Sequence, residues 1–185
     1  MTRTTNQPDD DVVLPPTCPG AETTRSLRDA PRLAWFIVLG LAHGARKAPT
    51  LPARVWAGYI ALIAVVFYVP LLLPVRIVQL RDRRAVHYVH RDDRGRVRAV
   101  LTVKAKPGPR WEVGDHSTGH PGAGHGRLLR AALLPTLAAA ADARGVTIEA
   151  TAATAALAAA YIAELPGLVD VGHGSPRGRK LRRTS

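Results

Sequence analysis

The chain has a single cysteine, Cys18, among its 185 residues. An intrachain disulfide is therefore excluded, and a reducing compartment fits. Zinc signatures are missing too. His116, His120 and His125 have neither a common zinc spacing nor a cysteine or second carboxylate cluster beside them, so no metal is expected. No nucleophile elbow and no GK[ST] phosphate loop occurs, which removes the main residues of serine hydrolases and nucleoside triphosphatases. Positive charge and an apolar run at the very start are lacking, since the first apolar run begins at Leu33, and a secretory signal is not expected. Acidic residues are scarce as well. Lys and Arg number 26 against 14 Asp and Glu, a formal charge of +12, and residues 31–75 hold no acidic group at all. Such a balance suits anionic partners, yet no nucleic-acid motif accompanies it, and nucleic acid is not an expected partner.

What is present is organised around HPGAGHGR, His120 to Arg127. Glycines at 122, 124 and 126 allow backbone N–H groups to turn inward together, and a helix starting near Gly126 would add its positive dipole end. The segment reads as an anion cradle for phosphate or pyrophosphate. A flexible glycine-rich turn is the alternative.

Four regions follow from composition. Residues 1–30 are polar and proline-containing without a periodic pattern, and are expected to be disordered. Residues 31–80 form a hydrophobic helical region. Leu33–Ala42 is too short to span a bilayer comfortably, and reads as an interfacial helix or as one packed on the next segment. Val55–Val75 is 21 residues without a charge, long enough to cover about 30 Å of hydrocarbon as a helix. It is expected to be a single membrane span, with a buried core or homodimer helix as the competing reading. Pro70 and Pro74 would kink its far end. Arginines are denser on its C-terminal side, which would put residues 76–185 in the cytoplasm.

Residues 81–174 change to short strands. Val86 and Tyr88, then the turn residues Asp92, Asp93 and Gly95, then Val97, Ala99, Leu101 and Val103 form a hairpin with one apolar face. A third strand, Trp111–Ser117, leads into the glycine loop. The helix after it contains Pro135, where a kink or break is expected, and ends at Gly145. Val146–Thr151 reads as a strand, ATAALAAAYIAEL as a helix and Leu168–Gly172 as a strand. Residues 175–185 are expected to form a solvated basic tail rather than a short terminal strand.

With PGAGHG at Pro121–Gly126 following a strand, and Thr154, Leu157 and Tyr161 further along, residues 85–173 resemble the GNAT acetyltransferase superfamily. Gly124 and Gly126 fall at the two small positions of that family's pyrophosphate loop. Pro121 replaces its usual Arg or Gln. The family's first strand and first two helices have no clear counterpart in the sequence. The resemblance implies an α+β fold, a mostly antiparallel central sheet with flanking helices, here preceded by the hydrophobic helix.

It also implies acetyl-CoA as co-substrate. His116 and Ser117 would pair with the pantetheine arm, and Gly122, Ala123, Gly124, His125, Gly126 and Arg127 would hold the pyrophosphate, with Thr154 at a further cofactor position. Tyr161 would be the general acid for the thiolate, and Glu112 a base, with Asp115 as substitute. The expected activity is acetyl transfer to an amine, on a small molecule or a protein, by a membrane-anchored enzyme. The alternatives are a catalytically degenerate binding or scaffold module on the same fold and a basic membrane-surface or nucleic-acid-associated protein.

Overall fold

The computed structural model describes residues 12–46, 50–174 and 178–185. Seven strands form one sheet in the order β1-β2-β3-β4-β5-β7-β6. In chain order the elements are β1 (Glu22–Thr24), α1 (Ala30–Arg46), α2 (Leu51–Val66), a π turn (Tyr68–Leu72), α3 (Leu73–Arg81), β2 (Ala85–Arg91), β3 (Val97–Lys106), β4 (Arg110–Thr118), α4 (His125–Arg144), β5 (Thr147–Ala152), α5 (Ala155–Glu164), β6 (Val169–His173) and β7 (Arg179–Arg183). Among the described strands only β4 and β5 pair in parallel. Every other neighbouring pair is antiparallel.

The strand alternation sorts side chains onto two faces. Leu101, Val103, Trp111 and Ile148 pack under α4 and α5 in one core cluster. Val89, Val97 and Val100 meet Leu33 and Phe36 of α1 and Leu80 of α3 in the other. The run Leu33–Ala42 is thus a core helix. Burying Leu33 and Phe36 against the sheet contributes about 1.5–3 kcal/mol each.

The expectation of a single membrane-spanning helix over residues 55–75, kinked at its far end by Pro70 and Pro74, is corrected: the stretch is two helices with a sharp bend between them. Pro70 has no N–H to give to the Val66 carbonyl, and the turn widens: the N–H groups of Leu71 and Leu72 both donate to Phe67 O, at 3.0 and 3.1 Å. α2 therefore ends at Val66, and the following helical stretch is bent from it by 69°. No single helix among the described residues is long and apolar enough to cross a membrane. α3 instead lies on the sheet through Leu80 and the buried Arg76. α2 leaves Trp56, Tyr59, Leu62 and Val66 exposed.

Two further expectations change. Residues 12–24 are ordered against the domain. Val12, Val13 and Ala21 pack on the main core and Cys18 is buried in it. Trp111 Nε1 donates to Val13 O at 2.7 Å, Arg144 to Leu14 O at 3.0 Å, and Tyr88 Oη to Pro16 O. Proline-rich backbone carries few N–H groups to satisfy, so it can lie extended on a surface and offer its carbonyls. The expectation for residues 1–11 lies outside the described residues. The basic tail is strand β7 from Arg179 onward, inserted between β5 and β6. Leu181 is fully buried, while Arg179, Arg182 and Arg183 pair with Asp170, Glu149 and Asp142. Ser175, Pro176 and Arg177 lie outside the described residues.

Candidate active site

Two irregularities in β4 build the site. The register with β3 slips between Val100 and Thr102, so Asp115 and His116 stand opposite Leu101 alone. Asp115 takes a left-handed backbone, φ 52°, unusual for a residue with a side chain. Arg76, only 1% exposed, holds its carboxylate through both guanidinium Nη atoms, and Thr102 Oγ1 approaches it at 3.4 Å. A carboxylate committed to a buried arginine is poorly placed to accept an acceptor amine's proton, so Asp115 acts as a brace for the bulge.

Beyond the bulge the sheet opens. β4 pairs with β5 from Arg110–Thr147 to Val113–Ala150 and no further, although both strands continue. The ends of β4 and β5 part beside the glycine loop.

The loop itself is shaped by backbone. Gly122 and Gly124 have φ of 93° and 81°, and Ala123 N closes a turn onto His120 O at 3.1 Å. Gly124 precedes α4, whose first turn contains His125, Gly126 and Arg127. A cleft of about 320 Å³ lies there, lined among others by Thr118, His120, His125, Gly126, Arg127 and Arg130. Gly126 has no room for a side chain, because a Cβ would lie 2.5 Å from His116 Nε2. A helix N-terminus with Arg127 alongside has the chemistry to hold an anion. Burial and the neighbouring His90 and Arg98 hold His125 below the usual histidine range. Pro135 does not break α4, which runs on to Arg144 with that proline exposed to solvent.

Tyr161 and His116, expected in separate roles, touch. His116 Nδ1 is 2.9 Å from Tyr161 Oη. Burial, then the Arg130 cation, depresses His116 to about 4. Burial raises Tyr161 to about 12. Arg130 lies over the Tyr161 ring at 5.2 Å and binds Glu164 at 2.5 and 2.9 Å. Neither Arg130 nor Glu164 stood out in the sequence. The signal was an arginine on the buried stripe of α4 between Leu129 and Leu133, and a glutamate one turn after Tyr161.

Glu112 and Glu149 stand opposite each other on β4 and β5. Both line a second cavity of about 420 Å³ with Lys106, Arg110 and Lys180. Lys106 pairs with Glu112 at 2.5 Å and Arg182 with Glu149 at 3.1 Å. Thr154 is not among the residues lining the loop cleft: its hydroxyl caps α5 by accepting from Leu157 N at 3.1 Å. Ser117 Oγ is buried with no hydrogen-bond partner among the described residues.

The chain has the GNAT acetyltransferase fold. It is similar to a GNAT-family acetyltransferase from Staphylococcus aureus, with TM-score 0.53, 8% identity and coverage of 89% of this chain and 98% of that one. It is also similar to a structure described as histone acetyltransferase HPA2 and related acetyltransferase from Corynebacterium glutamicum, with TM-score 0.56, 15% identity and coverage of 91% and 98%. A third is PaiA N-acetyltransferase from Thermoplasma acidophilum in complex with coenzyme A, with TM-score 0.51, 10% identity and coverage of 89% and 99%. No family model and no curated protein matches the sequence. Coverage of about nine tenths reaches well before residue 85, so the match is not confined to residues 85–173. Before residue 85 the chain has the strand β1 and the helices α1, α2 and α3.

Proposed function

We propose that the protein is an acyl-CoA-dependent N-acetyltransferase acting on an amine of a small molecule or a protein. The parting of β4 from β5 beside the glycine loop carries this reading, because it leaves strand backbone unpaired where a pantetheine arm can lie. The loop residues fit the group. Gly122–Arg127 would take the pyrophosphate through backbone N–H groups and Arg127, and the backbone of His116 and Ser117 would take the arm. The coenzyme A complex of the similar Thermoplasma protein supports this choice of donor.

When bound, acetyl-CoA supplies an activated acetyl thioester with a thiolate as leaving group. Tyr161, raised to about 12, keeps its proton throughout the neutral range and can give it to the sulfur as the C–S bond breaks. Glu112 takes the proton that the amine loses as the C–N bond forms, directly or through water. Glu149 beside it is held by Arg182.

We also propose that the α2–α3 region rests on a membrane surface, with residues 76–185 facing the cytoplasm. The exposed Trp56, Tyr59, Leu62 and Val66, in a region without acidic residues, support that placement. Co-sedimentation with vesicles of anionic and of zwitterionic lipid tests it. Absence from both pellets overturns it.

Titration calorimetry of the full chain with acetyl-CoA tests the main reading. No heat of binding at millimolar ligand sinks it. Binding with no thiol release across a panel of amines supports the scaffold alternative, which Pro121, lacking a side-chain donor at the loop, favours.

A further inference from the structure

Along β4, β5 and β7 the side chains of Trp111, Val113, Ile148, Ala150 and Leu181 join the core under α4 and α5. Their neighbours in each strand, Arg110, Glu112, Glu149, Thr151, Lys180 and Arg182, therefore stand on the opposite face. The cavity of about 420 Å³ opens there. Glu112 and Glu149 lie side by side across β4 and β5, and Lys180 is opposite Thr151, the next residue of β5 on that face.

The charges around this cavity do not balance. Lys106 takes Glu112 at 2.5 Å, and Arg182 takes Glu149 at 3.1 Å. Arg110 and Lys180 are left over. Arg110 directs Nε and Nη2 to Pro107 O at 3.1 and 3.0 Å, a neutral acceptor that leaves its charge uncompensated. Lys180 has no carboxylate within ion-pair distance among the described residues, although Arg179, Arg182 and Arg183 of the same strand each have one.

A bare ammonium substrate would meet surplus positive charge, and the carboxylate it needs is already shared with Lys106. An amine that also carries a negative group meets the complement of its own charges. Strand geometry sets the span. Lys180 lies two strands over and two residues along from Glu112, roughly 12 Å between Cα atoms. Side chains rising from one face at that spacing can hold the two ends of one small molecule. The chain's charge of +12 draws anions from further away.

We propose that the acceptor is a small amine bearing a carboxylate, an amino acid or a close analogue, whose amine lies at Glu112 and whose carboxylate is held by Lys180, with Arg110 adding to the attraction. This choice of acceptor rests on the acetyltransferase reading. The amine nitrogen forms the C–N bond with the acetyl carbon and gives its proton to Glu112, while Tyr161 protonates the sulfur as the C–S bond breaks. Polycationic amines are turned away by like charge.

The test is thiol release by the full chain with acetyl-CoA, using as acceptors each common amino acid, its carboxamide, and spermidine. The best amino acid should exceed its own carboxamide at least about tenfold in kcat/KM, since the two differ in the anionic group alone. Spermidine should be the poorest acceptor. Lys180→Ala, at an exposed position, should bring acid and carboxamide within about threefold of each other, with the KM for acetyl-CoA changed by less than about twofold. Lys180→Glu should put spermidine ahead of the amino acid. A natural chain that uses the carboxamide or spermidine as well as the acid, or an equal loss for acid and carboxamide in Lys180→Ala, overturns the proposal while acetyl transfer stands. If no acceptor is turned over, calorimetry of each amino acid and its carboxamide on the chain saturated with coenzyme A makes the same comparison by Kd. Tighter binding of the acid, lost in Lys180→Ala, upholds the anionic site and sinks acetyl transfer. Equal binding, or none, sinks the site as well.

Discussion

A Cβ placed on Gly119 would lie 2.6 Å from Cε1 of Phe36. The first residue after β4 thus touches the hydrophobic helix α1, and the aromatic ring it meets is 2% exposed and cannot swing away. Gly119 N also donates to Arg98 O at 2.9 Å, which fixes the exit of the strand. Gly119→Ala should destabilise the fold by about 1–3 kcal/mol through overpacking and weaken acetyl-CoA binding by displacing the loop. Phe36→Leu in the same chain should recover part of both losses. Urea unfolding of the two single variants and the double variant measures the coupling. Strictly additive losses would show that the two residues do not meet.

Gly124 poses the opposite case. Nothing lies within 4 Å of a Cβ there, so its φ of 81° alone sets the cost of a side chain. A residue with a Cβ pays about 1–2 kcal/mol in this region, and asparagine pays less. The Kd for acetyl-CoA should therefore rise in the order Gly124, Gly124→Asn, Gly124→Ala, with thermal stability falling in the same order. Alanine binding as tightly as glycine would mean that the loop does not use this conformation when loaded.

Gly119 was not legible in the sequence, since its constraint is the Phe36 ring of another element. Gly124 was, as one of three alternate glycines, because spacing and backbone freedom are written in residue type. The hairpin of β2 and β3 was legible for the same reason, as apolar alternation. Leu33–Ala42 was not, since an apolar run has the same composition whether a sheet or a lipid covers it. Arg76 held a clue. A lone arginine bordering 21 uncharged residues turned out to be buried on Asp115. β7 was hidden by its charge, because Arg182 and Arg183 find their carboxylates on distant segments that local pattern does not identify, and Arg179 finds its own on β6. The side-chain role of His116 was hidden likewise: its partners Arg130 and Tyr161 come from two different helices.

Stability should fall with acid earlier than the carboxylates alone require. Burial, with Arg130 beside it, depresses His116 to about 4, and burial depresses His87 as well. In the unfolded chain both titrate near the ordinary value of about 6.5. Between about pH 6.5 and 4 the unfolded state binds more protons, so unfolding free energy rises with pH in that window and is lost as pH falls through it. The His116 contribution is at most about 3 kcal/mol. Below it, Asp82 and Glu164, held low by Lys104 and Arg130, add their own loss. Urea midpoints from pH 7.5 to 4 should decline for the natural chain and decline less for His116→Gln, which keeps only the His87 share. Identical slopes for the two proteins would remove His116 from this account.

The last strand allows a sharper decision. If residues 179–185 were a solvated tail, their removal would leave stability unchanged. Leu181 instead has no exposed surface and contributes to the same core cluster as Trp111 and Ile148. Its strand pairs with β5 on one side and β6 on the other, so nothing else joins β6 to the sheet. Leu181→Ala should cost about 2–5 kcal/mol, the usual range for emptying a fully buried leucine site. Lys180→Ala, on an exposed neighbour in the same strand, should change stability by no more than about 0.5 kcal/mol. A chain ending at Gly178 should lose the cooperative thermal transition altogether, because β5 then presents an unpaired edge and the core stands open at the place of Leu181. A truncated chain that melts like the natural one would return this segment to the surface.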